Sequence, residues 1–339
     1  MALELPARGR IVEMLPRDGF QRYPEFIPTE AKIEMIDALS TTGVDEIEIT
    51  SFTHPKAVPA LRDAGEVAAG ITRHDDVTYR ALVPNDVGME RAIEADLDKV
   101  NALVVISDGY RSKNQGGMTL EENLEQIRRI VELAAGTGIE VEAGLGTSFF
   151  CPYDGQIPQE RTLGVVDAVL EAGVDEVTLA TTMGMADPRG VTDMLEALYD
   201  DHPDADVGLH LHDTNGMSLA NTLAAMQCGV DRFDTSVCGL GGGTILPGGL
   251  GDVGNTPTED LVNMFHDMEV HTNVDDARLR EVARDVADRL EELWRENRSE
   301  LYYRTGVAGE YRARTIYELA VQLHDEIVQL TRTRDCLCE

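Results

Sequence analysis

Two hydrophobic rhythms run along the chain. In short stretches polar and apolar residues alternate, as in "DEIEIT" (45–50) and "GLHLH" (208–212). In longer stretches the apolar positions recur every three or four residues. Side chains alternate across a strand and return to one face of a helix about every 3.6 residues, so the first rhythm predicts strands and the second amphipathic helices. The join between the two repeats itself: a helical run stops at glycine and an apolar strand begins. It occurs in "STTGVDEIEIT" (40–50), "AAGTGIEVEAGLG" (134–146), "LEAGVDEVTLA" (170–180) and "MQCGVDRFDTSV" (226–237). Glycine just past a helix end supplies the left-handed cap.

Extended along the chain, the pattern predicts strands near 10–15, 45–50, 77–83, 99–106, 139–145, 175–180, 206–212 and 232–237. Helical runs intervene, including 29–42, 119–136, 158–172, 187–200 and 216–228. Eight such units over roughly 265 residues fit an α/β fold of the (β/α)8 TIM-barrel type, which takes about 250. The rival is a doubly wound open sheet, but no dinucleotide-binding glycine fingerprint follows the first strand. Beyond residue 275 the pattern is helix alone: in "DARLREVARDVADRLEELWREN", Leu279, Val282, Val286, Leu290 and Leu293 form one apolar stripe. A second such run, "TIYELAVQLHDEIVQL", covers 315–330. The expected organisation is a TIM-barrel catalytic domain over 1–275 and a C-terminal helical extension over 276–339, the latter packing on the barrel or on a neighbouring subunit.

Charge changes the picture of the surface. Asp and Glu number 62 against 29 Lys and Arg, a net charge of −33, and there are only four lysines: Lys32, Lys56, Lys99 and Lys113. The acids are spread over many segments rather than gathered in a tail, which suits a folded protein in high salt, where screening suppresses self-repulsion. Such a surface repels nucleic acid and anionic membranes. No apolar run reaches membrane-spanning length, and "MALELPARGR" lacks the apolar core of a signal peptide, so a cytoplasmic location is expected. Five cysteines without framework spacing fit a reducing compartment; the closing pair, Cys336 and Cys338, reads as incidental.

In a barrel, chemistry belongs at the carboxyl ends of the strands. The first strand runs into "PRDGFQ", which places Arg17, Asp18 and Gln21 there. The second carries Glu46 and Glu48 on one face; both faces of a barrel strand are buried, so such carboxylates need partners. The seventh ends in His210 and His212, whose imidazoles share a face. The eighth leads into the glycine-rich "CGLGGGTILPGGLGDVGN" (238–255), which ends on Asn255 and lacks the Gly-Lys-Ser/Thr of a P-loop. Taken singly, each has a bland reading: an ordinary turn, a solvated face, a satisfied histidine, a flexible connection. Taken jointly, Asp18, His210, His212 and Asn255 offer two nitrogens and two oxygens to a divalent cation, with open positions for substrate. Mixed N/O ligation suits Mg2+, Mn2+, Co2+ or Zn2+, and ligand type alone does not choose between them; Mg2+ or Mn2+ is the expected ion.

The blocks "IVEMLPRDGFQ", "EIEITSFTHPKAVP", "CPYDGQI", "HLHDTNGMSLANTLAAMQCGV", "GLGGG" and "GNTPTEDLVNM" resemble, in order and from about residue 10 to 268, the signature blocks of the 3-hydroxy-3-methylglutaryl-CoA lyase family. That family belongs to the metal-dependent barrel lyases and Claisen-type synthases. The resemblance implies retro-aldol cleavage of a branched 3-hydroxyacyl-CoA, with the metal at Asp18, His210, His212 and Asn255. It also implies an enolate-stabilising Arg17, and Glu48, Glu13 and Gln21 as residues that hold the arginine and metal in place. Catalytic roles are thus expected for Arg17, Glu48 and His210, and Lys113 and Asn114 fall near the implied CoA entrance. The expected partners are an acyl-CoA or hydroxy-acid substrate and further copies of the chain, with no nucleic acid and no membrane.

Two positions depart from the family pattern. Gly243 stands where the family has a proton-donating cysteine, and Thr181 where it has an aspartate. Three readings follow: a lyase with another acid (water, His54 or Cys238); a condensing acyltransferase like the isopropylmalate, homocitrate or citramalate synthases; or a non-catalytic ligand-binding relative.

Overall fold

The structure, a computed structural model, describes residues 3–23, 25–242 and 254–301. Among these the strands are β1 (Arg10–Glu13), β2 (Glu46–Ser51), β3 (Thr78–Val83), β4 (Lys99–Val105), β5 (Glu140–Gly146), β6 (Phe150–Cys151), β7 (Gly155–Gln156), β8 (Glu176–Thr181), β9 (Val207–Leu211) and β10 (Arg232–Thr235). All but β6 and β7, which form a small antiparallel pair, close in chain order into one parallel barrel, with β10 pairing back onto β1. The eight barrel strands are those the alternation predicts, each within a few residues of its expected bounds.

Helices follow where the second rhythm places them, among them Thr29–Leu39, Leu120–Ala134, Gln159–Ala172, Pro188–Asp201 and Ser218–Gln227. Their ends have local causes. Thr119 and Glu122 form a reciprocal capping box at the start of Leu120–Ala134, and Gly173 (φ 92°) closes Gln159–Ala172 in the left-handed region. The chain divides into two compact units, residues 1–287 and 288–339. The helix Asp276–Leu301 begins where the sequence places its helix-only region, and Leu279, Val282 and Val286 are buried. The predicted helix at 315–330, Gly243, Cys336 and Cys338 lie outside the described residues. No helix among the described residues is long and apolar enough to cross a membrane.

The two faces of the barrel strands differ in kind. Outward positions such as Ile47, Ile49, Val177, Leu179, Leu209 and Phe233 are apolar and at most 1% exposed, packed beneath the helices. Inward positions carry charge. Arg80 on β3 reaches Glu142 on β5 at 2.6 Å and Asp234 on β10 at 3.0 Å, and Arg232 on β10 reaches the same Glu142 oxygen at 2.6 Å. Such contacts between strands that are not neighbours cross the barrel interior. Lys99 lies lower, between Glu46 (2.8 Å) and Glu176 (2.7 Å). Glu46 and Glu48 therefore face the interior, the first of the two directions open to them from sequence.

Candidate metal centre and active site

After β1 the chain makes a π-helical turn, Leu15–Gly19, in which the N–H groups of Arg17, Asp18 and Gly19 all approach the Met14 carbonyl (3.1, 2.8 and 3.5 Å). Such wide turns are common at functional sites. Here the turn brings Arg17 and Asp18, both buried, over the mouth of the barrel.

His210 and His212, at the end of β9, set their Nε2 atoms 3.0 Å apart. Each ring's other nitrogen is committed. His210 Nδ1 lies 3.0 Å from Asp234 Oδ2, and His212 Nδ1 lies 2.8 Å from the Thr182 carbonyl oxygen. A carbonyl and an ionised carboxylate only accept, so both Nδ1 atoms hold a proton, and in the neutral rings both Nε2 atoms present lone pairs to each other. Facing lone pairs at that distance repel unless a cation or a shared proton lies between them. An outer acceptor that fixes the tautomer in this way is the usual support of a metal-ligating histidine.

Asp18 and Asn255 complete the group. Asp18 Oδ2 approaches His212 Nε2 to 3.8 Å, and ligand atoms of Asp18, His210 and His212 all lie within 4.8 Å of one another, in a buried cluster able to hold a metal ion. A bridge between His212 and Asn255 brings the last segment alongside. Asn255 Nδ2 donates to Asp18 Oδ2 at 2.8 Å and to the Leu240 carbonyl at 3.0 Å. Its Oδ1 is buried with no hydrogen-bond partner among the described residues, which leaves that oxygen as the group's remaining donor atom. The start of the glycine-rich loop closes over Asp18: Gly242 N–H donates to Oδ2 at 2.8 Å. At Gly241 (φ +120°) a Cβ would lie 2.4 Å from Asp18 Oδ2 and 2.3 Å from Asn255 Nδ2, so only glycine permits this approach. The donor set and the orphaned oxygen fit a divalent cation.

Arg17 is fixed from two sides. Its Nη1 donates to Asp18 Oδ1 at 2.7 Å and its Nε to Glu48, whose other oxygen accepts from Asn101 Nδ2 at 3.1 Å. Burial pushes the Asp18 carboxyl up, but the Arg17 guanidinium beside it outweighs this and holds Asp18 well below the usual carboxylate range. Burial likewise lowers Arg17, and Glu48 and Asp18 more than restore it, so the guanidinium stays charged.

The structure thus brings Arg17, Asp18, Glu48, His210, His212 and Asn255 to one place. Other positions go elsewhere. Glu13, implied as a support of the arginine, faces outward because successive residues of a strand face opposite sides. Its Oε1 accepts from the N–H groups of Leu15 (2.9 Å) and Val237 (3.1 Å), and its Oε2 from the Thr258 hydroxyl (2.7 Å). Cys238 has its thiol near the Ala283 carbonyl, 3.5 Å away, on the helix side, and burial raises that thiol well above its usual range. It is not placed as the missing acid. The Thr181 hydroxyl accepts from the His212 N–H at 3.0 Å, a bracing role rather than that of a base. Lys113 is exposed on the short helix Asp108–Asn114 beyond β4. Asp234, Asn101 and Arg80 were missed from sequence, although Arg232 and Asp234 alternate in "RFDT" as Glu46 and Glu48 do in "EIEIT".

A closed parallel barrel with an Asp/His/His cluster at its carboxyl mouth defines a TIM-barrel protein with a candidate metal centre. A family profile described as HMGL-like matches residues 8–286, and the chain belongs to that family. A second profile, described as a domain of unknown function, DUF8154, matches 259–338. The chain is 41% identical over 285 residues to the hydroxymethylglutaryl-CoA lyase YngG of Bacillus subtilis, covering 84% of this chain and 94% of that one. It is 37% identical over 286 residues to the human mitochondrial hydroxymethylglutaryl-CoA lyase, covering 84% and 87%. Among solved structures, that of a hydroxymethylglutaryl-CoA lyase from Acinetobacter baumannii in complex with coenzyme A and 3-methylmalate superposes with a TM-score of 0.80 at 37% identity, covering 84% of this chain and 92% of that one.

Proposed function

We propose that the protein is a carbon–carbon lyase of the hydroxymethylglutaryl-CoA lyase type, cleaving a branched 3-hydroxyacyl-CoA at a divalent cation held by Asp18, His210, His212 and Asn255. Family membership and the shared length of the relatives support the reaction class. The observation that carries the metal reading is the pair of Nε2 lone pairs 3.0 Å apart, each fixed by an acceptor behind its ring. Mg2+ or Mn2+ suits a site with two oxygen donors and room for substrate oxygens. On this reading the barrel over 1–275 carries the chemistry, and 276–339 is a C-terminal extension that supplies none of the four ligands.

Asp18, His210, His212 and Asn255 would hold the cation, which would supply Lewis-acid polarisation of substrate oxygens. In the cleavage the hydroxyl gives up its proton to water, which can return one to the carbanion, and C3 becomes a ketone carbon. The C2–C3 pair moves onto the thioester as an enolate, which then takes a proton at carbon. Arg17, braced by Glu48 and Asp18, presents a fixed positive charge to the enolate oxygen; a guanidinium held in advance needs no reorganisation as that charge develops. Glu48 acts through Arg17, and His210 through its place in the ligand set.

The test is conversion of 3-hydroxy-3-methylglutaryl-CoA to acetyl-CoA and acetoacetate by the full chain with Mn2+ or Mg2+. Activity lost on chelation and restored by the cation, and a His210→Ala protein that neither binds Mn2+ nor turns over, are expected. Turnover unaffected by exhaustive chelation would overturn the metal reading. Absence of cleavage with Mn2+ bound would overturn the lyase reading in favour of a condensing relative.

A further inference from the structure

Beneath the metal group lies one buried cation that touches the supports of both halves of the site. Arg80 on β3 has no solvent exposure. Its Nη2 donates to Asp234 Oδ1 at 3.0 Å, and the other oxygen of Asp234 accepts from His210 Nδ1 at 3.0 Å. Its Nε faces Glu48 Oε2 at 3.1 Å, a charge contact off the hydrogen-bond line, and the other oxygen of Glu48 accepts from Arg17 Nε. Its Nη1 donates to Glu142 Oε2 at 2.6 Å, which Arg232 holds from the far side, also at 2.6 Å. Resting on the metal reading above, we infer that Arg80 is a positioning residue that sets the metal ligand His210 through Asp234 and the enolate-stabilising Arg17 through Glu48.

The geometry gives the reason. A planar guanidinium fixes the line of its Nη2–H to Asp234 and at the same time holds its charge 3.1 Å from Glu48, so one rigid group sets both contacts; an ammonium on a flexible stem does not. Asp234 must stay a pure acceptor for His210 Nδ1 to keep its proton and for Nε2 to present a lone pair. Arg80 fixes that acceptor in place: its Nη2 takes Asp234 Oδ1, which leaves Oδ2 turned to His210 Nδ1. Glu142 and Arg232 anchor the guanidinium from below and keep it from following its partners. Bland charge compensation in a polar interior also explains buried arginines, but it makes a different prediction. Under that role a change at Arg80 alters folding stability and leaves the Mn2+ affinity of the folded protein alone.

The experiment measures Mn2+ affinity of the full chain by calorimetry, without substrate, for the parent, Arg80→Lys, Asp234→Asn and the double variant. Arg80→Lys keeps the charge and so limits the folding loss; Arg80→Gln is read the same way if the lysine protein does not fold. Each single change is expected to weaken Mn2+ binding about 10–100-fold with the fold retained, the range seen for outer supports of metal ligands. Because both act through one contact on His210, the double variant is expected to lose little more than the worse single. At saturating Mn2+, Arg80→Lys should also lower kcat with KM nearly unchanged, through the loosened Glu48–Arg17 pair. Mn2+ affinity within about twofold of the parent in a folded Arg80 variant, or losses that multiply in the double, would overturn the assignment. Failure of the parent itself to bind Mn2+ would overturn the metal reading, and with it this role.

Discussion

The inner and outer faces of the same barrel strands follow opposite rules. Outside, Ile47, Leu179 and Leu209 are fully buried against helices, and each contributes roughly 1.5–3 kcal/mol by leaving water. Inside, Arg80, Arg232 and Lys99 meet Glu46, Glu48, Glu142 and Asp234, and for such pairs the loss of hydration about offsets the attraction. The outer shell therefore stabilises the barrel, whereas the inner column orients the groups at its mouth. A charged interior is a poor source of stability and a good source of geometry, because every member must be satisfied at once.

If that division holds, changes on the two faces separate stability from turnover. The largest effect is expected from Arg17→Met: kcat falls about 10³-fold or more while Mn2+ content stays near that of the parent, since the arginine stabilises charge that exists only along the reaction path. Unchanged kcat would remove Arg17 from the chemistry. On the outer face, Leu179→Ala should cost about 3 kcal/mol in urea unfolding, and kcat per folded molecule should stay the same. An equal loss of turnover would show that the two faces are not separable.

Glu13 sharpens the comparison, because it is a carboxyl on the apolar side. Burial raises its pKa to about 8, only partly offset by its hydrogen bonds to Thr258, Leu15 and Val237. Against an unfolded value of about 4.3, the folded protein holds a proton that the unfolded chain lacks between those limits. Its contribution to stability is then full below the unfolded value and is lost as pH rises through about 8. Glu13→Gln should gain on the parent in thermal unfolding as pH rises from about 5 to about 9; parallel pH profiles would contradict the raised value. The smallest effect concerns the surface. With 33 net negative charges, the melting temperature should rise by several degrees between dilute and molar salt, as screening relieves repulsion. A flat response would mean that the acids are locally paired, and the high-salt reading would fail.

Much of the site could be read along the chain because its residues lie where a strand rhythm ends. "HLHDTNG" places two imidazoles on one strand face, and "PRDG" follows directly on the first strand. For Glu13 the motif match carried a role but not a facing direction. A one-residue step along β1 turned the side chain to the helix side, where Thr258 and two backbone N–H groups receive it.

The eight barrel strands, their order of appearance, the helix stops at glycine and the acid–apolar alternation are local properties, set by side-chain periodicity and backbone freedom, and the sequence determined them unaided. Which face of that alternation turns inward was decided only by closure of the barrel, since both faces are buried and periodicity alone is symmetric between them. Closure also decided that residues as distant as Arg80 and Asp234, or Asp18 and Asn255, meet within 3.0 Å. Such contacts join strands and loops far apart in the chain, and their energies arise only once water has been excluded from the interior they share.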